Sequence, residues 1–426
     1  MKLALGATTL ACLLLLAAST LAGGGLRTKV ESRTSNGAVA SASSDLGSVT
    51  PNGRYVAFSS DADNLPGTAG GTIEQVYLRD RKTGKVKLAS RANNGDPADG
   101  SSEDASVSAN GRKVVFESEA GNLPGGILGV DQVYVRDLKA DRTKLVSRTS
   151  GGEPADDESF DGSISAKGRF AVFESNATNL PGALVSGDLQ SYIHDLKRGR
   201  TKLISRTTGG APADADSQNA SISEDGRIVT FESQADNLPG AHGNGDYQAY
   251  RRDVKTGRTK LVSKTSAGVP ADGDSFDIQI SDTGRYITFT SYALNLPGAV
   301  SGFDQVYLHD RKTGKTKLVS RTSGGDPAAG GFSENGSPST DGRFVAFESD
   351  ATNLPGNGFT QIYLRDLKRG RTTLISRDNA GEAALEGADT PRNRVLAKKA
   401  SVVFFDAVGD NMPGIDNQVY SRGPLR

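Results

Sequence analysis

The tetrapeptide Asn-Leu-Pro-Gly begins at Asn64, Asn122, Asn179, Asn237, Asn295 and Asn353, and a worn copy, Asn-Met-Pro-Gly, begins at Asn411. Successive copies stand 58, 57, 58, 58, 58 and 58 residues apart, so nearly all of the 426-residue chain is one unit written seven times. A unit of this size cannot bury a core alone and must stack on its neighbours. The even repeat therefore overrides the two or three domains that length by itself would suggest. It also sorts the residues: what recurs belongs to the scaffold, and what varies is where an individual function would sit.

One copy, Ala105 to Ser150, predicts four strands. Ala105 to Ser108 is a short strand of small residues, and a turn at Asn110-Gly111 leads to Arg112–Ser118, rich in β-branched and aromatic residues. Gln132–Val135 and Thr143–Arg148 supply the third and fourth. Four antiparallel strands repeated seven times predict an all-β fold, a seven-bladed β-propeller of four-stranded antiparallel blades. The second strand is apolar on both faces, as in Phe170-Ala171-Val172-Phe173, which suits a blade held between two others. The first is small, as at Ser163 and Ser221, which suits crowding around an axis. The fourth carries Lys87 and Arg91, Lys144 and Arg148, Lys202 and Arg206, and Lys317 and Arg321. These read either as a basic rim for an anionic partner or, the preferred reading, as charge protecting an exposed edge.

The two ends of the chain complete one another. The fourth-strand pattern already occurs at Thr28–Arg33, ahead of the first full unit, while the last unit stops after its third strand at Gln418–Arg422. Residues 27–34 are thus expected to latch the ring by completing the blade begun near Arg394. The seventh unit is degenerate, with Lys398-Lys399 in place of the Asp-Gly turn and Val402–Phe405 as its second strand.

Met1-Lys2, an apolar run from Leu3 to Ala18 and small residues through Ala22 read as a secretory signal peptide spanning 1–22, leaving 23–426 as the propeller. A retained anchor is the rival, but the run is short and interrupted by Gly6, Thr8 and Thr9. Cys12, the one cysteine, would leave with the signal, so packing and not disulfides must stabilise the mature chain. The 50 basic and 50 acidic residues balance, which argues against nucleic acid as partner and against polyanion mimicry. The expectation is a secreted monomer, periplasmic or extracellular, with no transmembrane segment after cleavage.

Ser-Ile-Ser-Glu-Asp-Gly-Arg with a following Phe (Ser221 to Phe231), Ser-Thr-Asp-Gly-Arg-Phe-Val-Ala-Phe (Ser339 to Phe347) and Val-Tyr-Leu-Arg-Asp (Val76 to Asp80) resemble the WD40-like, PD40-type repeat of TolB-like propellers over roughly residues 26 to 426. The motif is moderately specific for a propeller and weakly specific for a function. The chain departs from TolB in having no added N-terminal α/β domain and in showing seven repeats where TolB has six blades. The resemblance implies a place in a Tol–Pal-like envelope system only as a family possibility, and it leaves no residues for a fused peptidase.

The recurring polar residues can serve either the scaffold or a site. Asp80, Asp137, Asp195, Asp253, Asp310 and Asp366 close the third strand and are expected to cap its hairpin. Arg54, Arg112, Arg169, Arg227, Arg285 and Arg343 open the second strand and are expected to pair within or between blades. His194, His242 and His309 are scattered, and His194 and His309 occupy the repeat position that Arg79, Arg136 and Arg365 hold in other units, so neither a zinc or manganese site nor a Ser/His/Asp triad is expected. The loops between blades are acidic, with Asp99, Glu103, Asp104, Asp156, Asp157, Glu158, Asp161, Asp214, Asp216, Asp272, Asp274 and Asp277. Three residues before the central apolar position of the innermost strand stand Asp104, Asp161, Asn219, Asp277, Asn335 and Asn393. In a closed ring these surround the mouth of the axial channel, where their oxygens would suit a hard cation such as Ca²⁺. The competing role is to cap the turn entering the strand. Asp131, Asp188, Asp246 and Asp304 form a weaker set, without EF-hand spacing. The functional expectation is a binding scaffold, not an enzyme, whose acidic loop face recognises a protein, peptide or envelope glycan. The alternative is a metal-dependent lyase or lactonase acting in the channel.

Overall fold

Each repeat folds into an antiparallel sheet whose two middle strands carry the apolar runs. The computed structural model describes residues 27–68, 73–184, 186–241, 243, 245–390, 395–397, 401–408, 411–412 and 417–423. The expected signal peptide, Cys12, His242, Asn393, Arg394 and Lys398-Lys399 lie outside the described residues. Among the described residues no helix is long and apolar enough to cross a membrane.

The second repeat shows the plan: β6 (Ser102–Val107), β7 (Lys113–Ser118), β8 (Gln132–Asp137) and β9 (Arg142–Leu145) pair in chain order. Seven such four-stranded sheets make up a β-propeller. The innermost strand begins at Ser102, three residues before the sequence reading placed it, and the outermost leaves the ladder at Leu145. There Val146 and Ser147 both donate to the Val133 carbonyl, at 2.8 and 3.3 Å. The fourth-strand basic residues consequently divide. Lys144 is exposed on the outer edge, whereas Arg91 and Arg321 turn back onto their own loops, donating to the Gly95 and Gly325 carbonyls at 2.9 and 2.7 Å.

The core lies between blades. Ala57, Val76 and Leu78 of the first blade pack on Val114 and Phe116 of the second, and the pattern repeats around the ring. Every blade stacks one buried Phe on one buried Tyr, from Phe58–Tyr77 to Phe405–Tyr420, with ring centroids 5.6 and 5.7 Å apart in those two pairs. Such pairs add about 0.5–1.5 kcal/mol beyond the area they bury.

The recurrent tetrapeptide is scaffold throughout. Its Asn donates to the carbonyl of the preceding interblade loop, as in Asn122 to Pro97 at 2.8 Å and Asn411 to Ala383 at 2.8 Å. Its Leu is buried, as Leu123 is. Its Gly125 has φ 74° and a Cβ there would stand 3.1 Å from Leu145 and 3.2 Å from Pro154, so conformation and space both call for glycine. The paired Arg and Asp positions meet within each of the first six blades: Arg54–Asp80, Arg112–Asp137 and Arg169–Asp195 are each 2.7 Å apart. The same Asp carboxylates accept hairpin amides, as Asp80 does from Lys82 at 3.0 Å, and the Arg partner holds the Asp80 carboxyl below the usual range.

The last sheet draws on both chain ends: β26 (Ala388–Asp389), β27 (Val403–Ala407), β28 (Gln418–Gly423) and, at its outer edge, β1 (Arg27–Val30). The register runs from Arg27 opposite Gly423 to Val30 opposite Tyr420. The Glu31 amide then donates to Val419 at 2.7 Å and the Ser32 hydroxyl to Gln418 at 2.7 Å. Arg81 of the first blade reaches into this junction, donating to Glu31 at 2.8 Å and Ser421 at 3.2 Å while lying over the Phe404 ring. Deleting residues 27–34 removes these bonds together and leaves the edge of β28 open. The shortened protein is expected to melt less cooperatively and at least about 5 °C lower, as read by calorimetry. Unchanged sharpness and midpoint would show that this strand does not hold the ring closed.

Candidate functional site

The innermost strands carry a bulge. In blades two to six the ladder with the second strand skips, between Glu103 and Ser106, Phe160 and Ser163, Gln218 and Ser221, Phe276 and Gln279, and Glu334 and Ser337. The residues at that step are Asp104, Asp161, Asn219, Asp277 and Asn335, with φ of 47°, 52°, 54°, 49° and 53°. Left-handed backbone penalises most side chains by about 1–2 kcal/mol, and Asp and Asn tolerate it best after Gly. Part of the reason for these residue types is thus conformational, and they stand within the strand instead of at the turn that enters it. In the seventh blade the pairing of Ala388 with Ala407 and Asp389 with Asp406 puts Thr390, not Asn393, in the corresponding place.

Beneath the bulges lies a set of residues that pattern reading passed over. Glu117, Glu174, Glu232, Glu348 and Asp406 sit on second strands, in the middle of apolar runs, and are buried. Each carboxylate accepts an amide from the bulge of the next blade: Asp161 to Glu117 at 2.9 Å, Ala220 to Glu174 at 2.8 Å, Ile278 to Glu232 at 3.2 Å and Thr390 to Glu348 at 2.7 Å. Asp406 takes the Leu46 amide on both oxygens, at 3.0 and 2.9 Å, across the junction where the chain ends meet. Within a blade the bulge side chain steadies the acid, as Asn219 does in donating to Glu232 at 2.7 Å. The signal was present in the recurring Phe-Glu-Ser, because an acid between two buried strands needs a partner.

Four of the six proposed ligands come together. Asp161, Asn219, Asp277 and Asn335, with Ser163, Ser221, Ile278 and Gln279, line a cavity of about 30 Å³ at the axial mouth, roughly the space of one water. Asp104 does not line it and lies beside Glu117, and Asn393 is outside the described residues. Among the described residues no group of three or more His, Cys, Asp or Glu could hold a metal ion. Further down, the channel alternates hydroxyls and hydrocarbon, with Ser48, Ser106, Ser163, Ser221 and Ser337 beside Val49, Val107, Ile164, Ile222 and Ile280. The serines also tie blades, since Ser48 accepts the Val107 amide at 2.8 Å and Ser106 that of Ile164 at 3.1 Å.

The mouth repels further negative charge. Burial, and after it the charges of Asp104 and Asp161, push the Glu117 carboxyl well up. Burial raises Glu348 to about 8, with Asp389 adding to the effect. Asp304 is lifted to about 7 by burial and then by Glu334, and Glu74 to about 7 by burial and then by its acidic neighbours. His194 and His309 take no part. Each is buried against a threonine hydroxyl, Thr201 at 2.9 Å and Thr316 at 3.0 Å, and burial lowers each to about 4.

Around the mouth, several interblade acids are committed to loop structure: Asp99 accepts the Asn122 amide at 3.0 Å, Asp156 that of Thr178 at 2.7 Å and Asp274 that of Tyr247 at 2.7 Å. Most of the large exposed apolar side chains share their face. Ile127, Leu128, Tyr292, Leu294, Phe332, Phe359, Leu385 and Val408 stand in loops between second and third strands or between blades, whereas Val269 sits on a turn beside Thr316 toward the other side. Over blades five and six they gather, with Phe276 against Tyr292 at 5.8 Å and Phe303 edge-on to Phe332 at 5.7 Å.

No protein-family model matches the sequence, and no curated protein matches it. Solved structures do match, as propellers. The β-propeller domain of the Trilobed protease from Pyrococcus furiosus superposes with a TM-score of 0.55 at 11% identity, over 90% of this chain and 94% of that one. An oligogalacturonate lyase in complex with manganese gives 0.52 at 12% identity, over 95% and 98%. TolB from Acinetobacter baumannii gives 0.42 at 15% identity over 72% of this chain, which spans 61% of that protein's length. At these identities the likeness is one of fold.

The glutamates set a pH dependence. An acid at about 8 in the folded chain and near 4.5 unfolded stabilises fully below pH 4.5, and that contribution is lost as pH rises through 8. The histidines act oppositely, and only between about 4 and 6.5. Above pH 6.5 the carboxylates alone remain, so the melting temperature is expected to fall from pH 7 to 9. Glu348→Gln, which keeps an acceptor for the Thr390 amide, should melt higher than the wild type at pH 9 and show a shallower fall. Parallel profiles for the two proteins would refute the assignment.

Proposed function

We propose that this propeller is an exported binding scaffold, periplasmic or extracellular, whose loop face captures a basic, partly apolar segment of a protein or peptide. The observation that carries the reading is the coincidence on one face of the exposed apolar residues and the acidic mouth. Exposed apolar clusters of this kind mark interaction surfaces, aromatic anchors dominate such contacts, and an acidic surround selects a cationic partner. The apolar run at 3–18 supports export. An envelope glycan would use the same aromatic side chains without needing the acids.

The mouth itself is sized for a single small group. We assign its oxygens, from Asp161, Asn219, Asp277 and Asn335, to the cationic end of such a segment or to Ca²⁺ competing for the same place. Fluorescence anisotropy with a labelled Lys/Trp-rich peptide, set beside a neutral oligosaccharide, tests both. Peptide binding is expected to weaken at least tenfold in Tyr292→Ser/Phe332→Ser and in Asp161→Asn/Asp277→Asn, with melting curves unchanged. Millimolar Ca²⁺ should displace the peptide from the wild type. Binding that ignores both double substitutions, or a preference for the oligosaccharide that ignores the acids, would overturn the reading.

A further inference from the structure

Between successive blades, on the side away from the mouth, the fourth residue of a third strand meets the residue that follows the next third strand. At four junctions both are apolar and share a core cluster: Leu78 with Leu138, Val135 with Leu196, Ile193 with Val254, and Leu308 with Leu367. Where the chain ends join, the positions hold Ser421 and Arg81, 3.2 Å apart, and Glu31 neutralises the arginine at 2.8 Å. Between blades four and five they hold Arg251 and Arg311.

That pair lacks a glutamate of the kind that neutralises Arg81. The place of Glu31 is taken by Val262, which is buried. One junction earlier, between blades three and four, Asp225 lines the groove beside Ile193 and Val254, and here its position is Thr283. Among the described residues neither guanidinium has a hydrogen bond or an ion pair, whereas the nearest acids are engaged: Asp253 with Arg227 at 2.8 Å and Asp310 with Arg285 at 2.7 Å. Lys260 stands directly across from Arg251 on the neighbouring strand. Both arginines are half-buried. Burial and then the charge of Arg311 bring Arg251 down to about 10, and burial and then Arg251 lower Lys264 as well. Like charges held half out of water at a position that is apolar in most blades weaken the fold, so stability alone does not explain them.

We infer that the groove between blades four and five is an oxyanion site, in which Arg251 and Arg311 grip a phosphate-type group from two sides with Lys260 beside them. Guanidinium is always charged, weakly hydrated and presents paired donors that fit two oxygens of such a group at once, which chloride cannot match. The group is free in solution or borne on a lipid headgroup. It lies on the opposite side of the disc from the acidic mouth, so its occupation is independent of peptide capture there.

Inorganic phosphate in calorimetric titration at constant ionic strength, and co-sedimentation with phosphatidylcholine vesicles containing or lacking phosphatidylglycerol, separate the two sources. The wild type is expected to bind one of these probes, and Arg251→Leu and Arg311→Leu to bind it at least tenfold more weakly. Both variants should also melt higher than the wild type in chloride buffer without phosphate, because they restore the apolar pair of the other junctions. Arg251→Gln, closer in polarity, repeats the test should leucine disturb packing. Failure of the wild type to bind either probe, binding undiminished in the variants, or a lower melting temperature of Arg251→Leu in chloride would each refute the site.

Discussion

The ring depends on one recurring interaction: a buried carboxylate on the second strand of one blade accepting a bulge amide from the innermost strand of the next. Apolar packing between blades is strong but not directional, and sheets can slide over one another without losing much buried area. A carboxyl acceptor sealed between two sheets cannot slide, because misplacing it leaves it unsatisfied at a cost of about 1–3 kcal/mol. Glu117, Glu174, Glu232, Glu348 and Asp406 fix five of the seven junctions in this way. Ser59 and Thr290 stand at the equivalent positions of the other two blades.

The same interaction shapes the surface. The bulge that offers its amide downward turns Asp161, Asn219, Asp277 and Asn335 toward the axis, so the construction that welds the blades also makes an acidic mouth. The loops above it are free to vary, since their attachment rests on the tetrapeptide Asn and its carbonyl partner and not on the loop's own length. Exposed apolar residues have collected there and not on the outer edge, where Lys and Arg alternate with buried threonine and leucine. Recognition is thereby separated from stability, which is the usual arrangement when loops sit on a rigid frame.

Most of the fold was legible because it is written seven times. The period, the four strands per unit and the pairing of Arg54 with Asp80 all follow from residues that recur at fixed spacing. The site was less legible for a physical reason. Asp104 through Asn335 were marked by position, but sequence cannot separate an Asp chosen for left-handed backbone from an Asp chosen as a ligand. In the seventh unit the worn sequence hid the register, in which the pairing of Ala388 and Asp389 gives the position to Thr390. The buried glutamates were overlooked because an acid following Phe in a strand reads as an outward-facing residue until the neighbouring blade is in place. Arg251 and Arg311 show the converse. They depart from a pattern that is apolar at other junctions, and only the structure shows that the two departures face each other.

The central claim, that buried carboxylates hold the bulges of adjacent blades, is tested most directly by amide exchange at single residues. The amides of Ala220 and Ile278 lie beside the channel mouth, at the break in the ladder of their innermost strands, where fast exchange would ordinarily be expected. The account requires them to exchange as slowly as Val229 and Ile287 in the centres of their second strands, and Ala220 to lose that protection in Glu174→Ala while Ile278 keeps it. Exchange of both amides in the wild type at the rate of exposed loop positions such as Gly209 would contradict it.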